Sequence, residues 1–228
     1  MRCALNIAYN GTLFLGSQRQ KETPNTILGN LENALTKLGI TANVVASGRT
    51  DRGVHASSQV CHVDLPSFWE DLEKLKRVLN EMLPKTILVN NIKFVNDDFH
   101  ARYGAKRRIY RYIIKEGTSN PFENDFVTFT QEVEFGTLQS NIKLFIGTHD
   151  FKQFMKTGSD VHSTNRIIYK AFVYKYKDYI VLNFEANGFL RSQIRLMVGA
   201  LLQLTSQEII EQLQSIKIHK IKPAPSNG

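Results

Sequence analysis

The chain has 228 residues, of which 42% are hydrophobic and 22% are charged, a composition that is ordinary for a globular protein. The formal net charge of +8 favours a polyanionic partner such as nucleic acid. The two cysteines, Cys3 and Cys61, show no CxxC spacing, which excludes a disulfide framework and a cysteine-rich zinc site. No apolar run approaches the roughly 20 residues that cross a bilayer, and a polar residue follows Met1 too early for a signal peptide. We therefore expect a cytoplasmic protein.

The N-terminal half alternates between the two periodicities of regular structure. Alternating apolar residues predict strands, at residues 2–9, 43–46, 58–65 and 87–95. Apolar residues at helical spacing predict helices, at residues 24–38 and 68–83. Gly39 and Pro84 end them. The order is βαββαβ, which is typical of a ferredoxin-like subdomain.

The C-terminal half repeats this rhythm in a looser form. Strands are predicted at residues 109–114, 166–176 and 179–186, the last two joined as a hairpin by Lys177 and Asp178. Helices are predicted at residues 137–146, 190–204 and 206–213, and a final edge strand at residues 216–221. We expect an α+β fold of two subdomains, residues 1–104 and 105–228, with a cleft between them.

One loop carries the clearest chemical signal. It follows a predicted strand, and it places Asp51 between Arg49 and Arg52, with Gly48 and Gly53 on either side. Neighbouring guanidinium groups favour the ionised carboxylate, and a positioned carboxylate can act as a nucleophile on a polyanionic substrate. The alternative is a surface salt bridge in a tight turn.

A second segment combines cations with aromatic rings. The basic residues are Arg102, Lys106, Arg107, Arg108 and Arg111, and the rings are Tyr103, Tyr110 and Tyr112. Cations suit phosphates and rings suit bases, so this composition is typical of an RNA-binding groove. The alternative for a tyrosine in a strand is packing in the core.

The sequence lacks the residue spacings that are typical of metal sites and of nucleotide-binding sites. The six histidines show no HxxxH or HxH spacing, and no glycine-rich phosphate loop follows a strand. A metal-dependent nuclease would need clustered carboxylates, and Asp51 has no acidic neighbour before Asp64.

Six motifs together resemble the tRNA pseudouridine synthase A family. They are YNGTLFLG at residues 9–16, SGRTDRGVHA at 47–56, FHAR and YRY within 99–112, GTHDF at 147–151, TNRIIY at 164–169, and NGFL at 187–190 leading to Arg195. They follow the order of the family and span nearly the entire chain. One such motif would be weak evidence, whereas six in register identify the chain as a member.

The resemblance implies a fold and an activity. The fold is two α+β subdomains that share a mixed, mainly antiparallel sheet with a central RNA-binding cleft. The activity is isomerisation of uridine to pseudouridine at positions 38, 39 and 40 of the tRNA anticodon stem-loop, by a homodimer that needs neither cofactor nor metal. Two alternatives remain open, namely a non-catalytic RNA-binding module and a pseudouridine synthase acting on another RNA.

The resemblance also assigns residues. Asp51 attacks the ribose of the target uridine, either by adding to the sugar or by removing a 2′ proton, and Arg49 helps to flip the base. Tyr110 stacks on the uracil, and Arg195 pairs with Asp51 across the cleft, where the alternative is an arginine that extends to the surface. The expected substrate-binding residues are Phe189, Arg102, Lys106, Arg107, Arg108 and Arg166.

The chain departs from the family pattern at a few positions. Ser17 stands where the family usually has Trp, and Ile27 and Leu28 stand where it usually has Val and Gln. The residues around Arg195 also differ from the usual pattern, although the arginine itself is present. Family members generally continue into a short strand after the segment at residues 224–228.

Overall fold

The computed structural model describes residues 1–158 and 161–228. The chain divides into two compact units, Met1–Ala105 and Lys106–Gly228, which we call unit 1 and unit 2. Each unit contains one sheet and its own helices, which confirms the predicted α+β class. The structure has a four-stranded sheet in unit 1 and a five-stranded sheet in unit 2.

Unit 1 has the βαββαβ order that its sequence predicts. Its elements are β1 (Arg2–Tyr9), α1 (Ile27–Lys37), β2 (Val45–Ala46), β3 (Ala56–Asp64), α2 (Leu72–Met82) and β4 (Ile87–Phe94). The strands lie in the order β2-β3-β1-β4, and every pair is antiparallel. This is the strand order of a ferredoxin-like sheet, with β1 and β3 at its centre.

Local capping decides where the helices of unit 1 begin. The Thr26 side chain accepts a hydrogen bond from Gly29 N, and Asp71 does the same for Lys74 N. Both capping residues have an extended backbone, as N-caps require. Helix α2 therefore begins at Leu72, four residues later than its apolar pattern predicts.

The core of unit 1 lies between the sheet and the two helices. Its fully buried side chains include Leu5, Ile7, Leu31, Leu35, Leu75 and Leu79. Cys3 and Cys61 lie in this core as free thiols. Burial raises the pKa of Cys3 to about 11 and that of Cys61 to about 12, so both are protonated and unreactive at neutral pH.

Unit 2 is built around a mixed sheet. Its strands are β5 (Arg108–Glu116), β6 (Thr128–Thr130), β7 (Gly147–Asp150), β8 (Asn165–Tyr176) and β9 (Tyr179–Ala186), and its helices are α3 (Phe135–Asn141), α4 (Gln193–Gln203) and α5 (Ser206–Leu213). The strand order is β6-β5-β9-β8-β7. Only β5 and β6 pair in parallel, and the other described pairs are antiparallel. The predicted hairpin is therefore confirmed as β8 and β9.

Four features of unit 2 differ from the sequence prediction. The helix predicted at residues 137–146 begins at Phe135 and ends at Asn141, where a short 3-10 helix, Ile142–Phe145, follows it. Strands β6 and β7 were not predicted, because each has only three or four residues. Helix α4 begins at Gln193 rather than at residue 190, because Ser192 has a left-handed backbone with φ of 61°. Residues 216–221 form no strand in the structure.

Side chains of the last two helices explain why residues 216–221 are not a strand. The Gln212 side chain accepts a hydrogen bond from His219 N, at 2.7 Å. The Gln203 side chain binds both backbone groups of Lys222, at 2.8 and 3.1 Å. This backbone is therefore held by glutamine amides on α4 and α5, and not by a neighbouring strand.

Aromatic rings dominate the core of unit 2. Phe145, Phe151, Phe154 and Phe184 are each fully buried. The Phe145 and Phe154 rings meet edge to face with centroids 5.4 Å apart, which is a favoured geometry for aromatic pairs.

None of the helices in the described ranges is long and apolar enough to cross a membrane.

Two phenylalanines of unit 2 provide a matched test of this core. Phe145 is 0% exposed and Phe122 is 93% exposed. We expect Phe145→Ala to lower the free energy of unfolding by about 3–5 kcal/mol through loss of burial and creation of a cavity. Phe122→Ala should change it by less than about 0.5 kcal/mol. Chemical unfolding followed by circular dichroism measures both, and equal effects would contradict the assigned core.

Candidate active site

The loop that carries Asp51 connects β2 to β3 in unit 1. Asp51 is half-buried, whereas Arg49 and Arg52 on either side are exposed. Thr50 is only 8% exposed. The loop therefore turns its two arginines outward, and its backbone at Thr50 is anchored in the protein interior.

Hydrogen bonds fix the two ends of this loop. The Gln59 side chain donates to Gly48 O at 2.7 Å. Val54 N donates to Asp51 O at 3.2 Å, which closes a tight turn after the carboxylate. Gly11 N donates to His55 Nδ1 at 3.0 Å. The loop is thus held by β3, by its own turn and by the segment that follows β1.

That segment, residues 11–17, packs directly on the Asp51 loop. A Cβ at Gly11 would lie 2.1 Å from Val54 O, so no side chain fits there. Gly16 has φ of +104°, and a Cβ there would lie 3.1 Å from Thr50 O. The sequence predicts only a turn after the first strand in this region. The pair of glycines was the available signal, because glycine permits close backbone approach.

Tyr110 and Tyr112 lie on one face of β5, as their spacing predicts, but in different environments. The Tyr110 ring is half-buried and meets the Phe189 ring edge to face at 5.2 Å. Tyr112 is buried, and its hydroxyl binds Thr128 Oγ1 at 2.8 Å and Pro225 O at 3.0 Å. Burial raises the pKa of Tyr112 to about 12. Tyr112 is therefore a core residue, and Tyr110 is the ring that remains partly open.

Two of the predicted substrate-binding arginines lie close together beside Gly188. Arg108 Nη1 donates to Asn187 O at 2.7 Å. Arg166 Nη1 donates to Ser163 O at 2.9 Å and to Asn165 O at 2.6 Å. Burial lowers the pKa of Arg166, and the positive charge of Arg108 lowers it further. Neighbouring guanidinium groups of this kind suit the binding of a phosphate.

Strand alternation separates the basic run into two sets. Arg108 pairs in register with Ala186 and shares a face with Tyr110. Arg107 points the other way, where its Nη1 lies 2.6 Å from Glu185 Oε1 and its guanidinium lies 5.4 Å from the Tyr169 ring centroid. Because successive side chains of a strand point to opposite faces, Arg111 also lies on the face of β5 opposite Arg108 and Tyr110.

Arg102 and Lys106 lie on either side of the point in the sequence where unit 1 ends and unit 2 begins. Arg102 belongs to unit 1, where its guanidinium lies 5.8 Å from the Tyr103 ring centroid. Lys106 is the first residue of unit 2 and is exposed.

Arg195 lies on α4 and is half-buried. Its Nε donates to Ala224 O at 2.6 Å, and Ala224 N donates to Arg195 O at 2.9 Å. The arginine is thus bound reciprocally to the segment that follows α5, a contact the sequence does not predict. Its pairing with Asp51 stays a prediction.

His149 and Asp150 both form local hydrogen bonds to the backbone. Asp150 Oδ1 accepts a hydrogen bond from Lys152 N at 2.9 Å, and a ring nitrogen of His149 lies 3.0 Å from Ile146 O.

Within the residues that the structure describes, no group of three or more His, Cys, Asp or Glu side chains is placed to hold a metal ion.

Comparison with known proteins gives one consistent match. A family model described as tRNA pseudouridine synthase matches residues 6–104 and 142–224. A Wolinella succinogenes protein named tRNA pseudouridine synthase A is 38% identical over 227 residues, covering 97% of this chain and 89% of the relative. Proteins of the same name from Campylobacter jejuni and an Exiguobacterium species are 36% and 39% identical, covering 100% and 89% of this chain and 97% and 82% of the relatives.

Two glycines with positive φ provide a test of the contact on the Asp51 loop. A Cβ at Gly16 would meet Thr50 O, whereas a Cβ at Gly117, with φ of +113°, would meet nothing within 4 Å. Alanine at either position costs about 1–2 kcal/mol of backbone strain. We expect only Gly16→Ala to accelerate hydrogen–deuterium exchange in peptides covering residues 47–55, by about fivefold. Equal exchange in both variants would contradict the contact.

Proposed function

The chain belongs to the tRNA pseudouridine synthase family, since the family model covers most of it, and we propose that it converts uridine to pseudouridine in tRNA. Membership makes it an isomerase. The finer proposal is that its targets are uridines at positions 38, 39 and 40 of the anticodon stem-loop. The match of the family model over both units is the observation that carries the proposal.

The reaction rearranges atoms without adding any. The bond between N1 of uracil and C1′ of the ribose breaks, the uracil turns, and C5 bonds to C1′. The proton on C5 is lost and N1 gains one, so the product has the composition of the substrate. Target bases must leave their stack before such chemistry, and a protein ring then replaces part of the lost stacking.

Asp51 is the proposed nucleophile. A carboxylate needs a fixed position to act on a ribose carbon, and the loop of Asp51 is held at Gly48, Thr50 and His55. Two routes begin from this carboxylate, addition to C1′ and removal of the 2′ proton. A primary isotope effect with 2′-deuterated uridine separates them, because only the second route breaks that bond. The proposed role of the exposed Arg49 is to help flip the base.

Unit 2 supplies the proposed contacts to the base and the phosphates. Tyr110 stacks on the uracil, and Phe189, whose ring already meets it, forms an apolar wall. Arg108 and Arg166 bind phosphate beside Gly188. Arg195 is proposed to orient the catalytic carboxylate, and Arg102, Lys106 and Arg107 to hold the RNA backbone.

The assembly and the location of the enzyme follow the family resemblance alone. We propose a homodimer that works in the cytoplasm. Sedimentation velocity of the active protein tests the dimer, and a fully active monomer would contradict it.

Two rival functions would also account for the positive charge of the chain. A non-catalytic RNA-binding module would bind tRNA without turnover, and a synthase for another RNA would leave tRNA unchanged. Neither rival is favoured by a particular observation, because the relatives described above are named for tRNA.

Replacement of the proposed nucleophile gives the sharpest test. We expect Asp51→Asn to lower turnover by at least about 1000-fold, the order lost when an essential nucleophile is removed. Release of tritium from C5-labelled uridine in a tRNA transcript measures turnover directly. Asp64→Asn is the matched control, because Asp64 lies in the same unit and forms an ion pair with Arg2, at 2.8 Å. It should retain full activity.

The outcomes separate the rivals. Turnover by the parent and none by Asp51→Asn, with RNA binding retained, supports the proposal. Binding without turnover by either protein would contradict it in favour of the RNA-binding module. A transcript with cytidine at positions 38, 39 and 40 tests the target positions, since it should release no tritium from the anticodon arm.

The stacking role of Tyr110 is tested by removing the ring. We expect Tyr110→Leu to lower kcat/KM by about 10- to 100-fold, because stacking of a base on an aromatic ring contributes about 1–3 kcal/mol. Tyr110→Phe keeps the ring and should stay near the parent. Tyr112→Phe is the control, since it removes buried hydroxyl contacts to Thr128 and Pro225. It should lower the unfolding midpoint and leave kcat/KM unchanged; a loss equal to that of Tyr110→Leu would contradict the assignment.

A further inference from the structure

Each polar group of Thr50, the residue before Asp51, has a hydrogen-bond partner. The partners are the buried side chains of Ser17 and Tyr9 and the backbone amide of Ser17. Ser17 Oγ accepts a hydrogen bond from Thr50 N at 2.8 Å. Ser17 N donates to Thr50 O at 3.0 Å. The Thr50 hydroxyl lies 2.9 Å from the Tyr9 hydroxyl. Ser17, Tyr9 and Thr50 are only 2%, 5% and 8% exposed.

These contacts fix the direction from which the Asp51 side chain leaves the loop. Thr50 O and the Asp51 Cα lie in one rigid peptide plane. Ser17 binds one group on each side of the Thr50 Cα, namely the N–H and the carbonyl, so both adjoining peptide planes are fixed. A buried N–H must find an acceptor, and the Ser17 hydroxyl supplies it.

Ser17 is itself anchored to a helix. Leu28 N donates to Ser17 O at 3.0 Å, and Ile27 N donates to Gly16 O at 3.3 Å. Ile27 and Leu28 form the first turn of α1 and are buried in the core of unit 1. The position of the loop is therefore set by α1 through Ser17.

We propose that Ser17 is a positioning residue of this enzyme, whose hydroxyl orients Thr50 and thereby the carboxylate of Asp51. It acts through Thr50 and does not contact the substrate. The proposal rests on the proposed role of Asp51. A displacement of about 1 Å in a reacting group can lower the rate by about 100-fold, so loss of this hydroxyl should reduce turnover more than substrate binding.

The test compares Ser17→Ala with Asn80→Ala. Asn80 lies in the same unit, and its side chain binds both backbone groups of Val89, at 2.7 and 3.0 Å. Asn80→Ala therefore also removes a side-chain brace from backbone groups, but between α2 and β4. Each variant is assayed for kcat and KM by tritium release from a tRNA transcript, for RNA binding, and for its unfolding midpoint.

We expect Ser17→Ala to lower kcat by about 10- to 100-fold, with KM within about twofold of the parent, the pattern of a lost transition-state interaction. Asn80→Ala should lower the unfolding midpoint and retain the parental kcat. A Ser17→Ala protein with the parental kcat and a midpoint as low as that of Asn80→Ala would overturn the proposal, because Ser17 would then serve stability alone.

Two further variants keep the result interpretable. Tyr9→Phe retains the ring and removes the hydroxyl contact to Thr50, so it decides the matter if Ser17→Ala does not fold. A lowered kcat at unchanged KM supports positioning through Thr50, and a parental kcat overturns it. Asp51→Asn is assayed in parallel. If it keeps the parental kcat, the proposed role of Asp51 fails; if it is inactive while Ser17→Ala is fully active, only the role of Ser17 fails.

Discussion

The packing of residues 11–17 on the Asp51 loop is the constraint on which the position of that loop depends. A loop with two exposed arginines and two glycines would otherwise be free to move, because glycine adds backbone freedom. Here Gly11 and Gly16 allow two backbones to approach closely, and Ser17 ties Thr50 to the first turn of α1. A rigid helix thus determines where a loop carboxylate lies.

Unit 2 reaches its arrangement by a different physical rule, the alternation of side chains along β5. Tyr110 and Arg108 share one face with the buried Tyr112, whereas Arg107 binds Glu185 on the other face. The partly open ring and the paired guanidinium groups of Arg108 and Arg166 therefore occur together near Gly188. Arg107 and Arg111 belong to a separate surface.

Much of this fold could be predicted from the sequence. The strand Arg2–Tyr9, the helix after Thr26 and the β8–β9 hairpin each follow from a local pattern of apolar residues, caps and turn residues. The α+β class and the family membership also follow from patterns along the chain. The motif around Asp51 was recognisable because its residues are contiguous, so no tertiary contact was needed to bring them together.

Other features required the tertiary structure, because they depend on contacts between residues far apart in the chain. Ser17 and Thr50 are 33 positions apart. No local pattern indicates that the Ser17 hydroxyl accepts a hydrogen bond from the backbone N–H of Thr50. Strands β6 and β7 are too short to carry a periodicity and exist only because a neighbour pairs with them. Residues 216–221 have a strand-like pattern, but the amides of Gln203 and Gln212 bind the backbone around them instead. The sequence by itself determined the longer helices and strands, the motif around Asp51 and the family, since each is encoded in neighbouring residues. Only the tertiary structure decided what holds the loop in place, since long-range hydrogen bonds form only once the chain has folded.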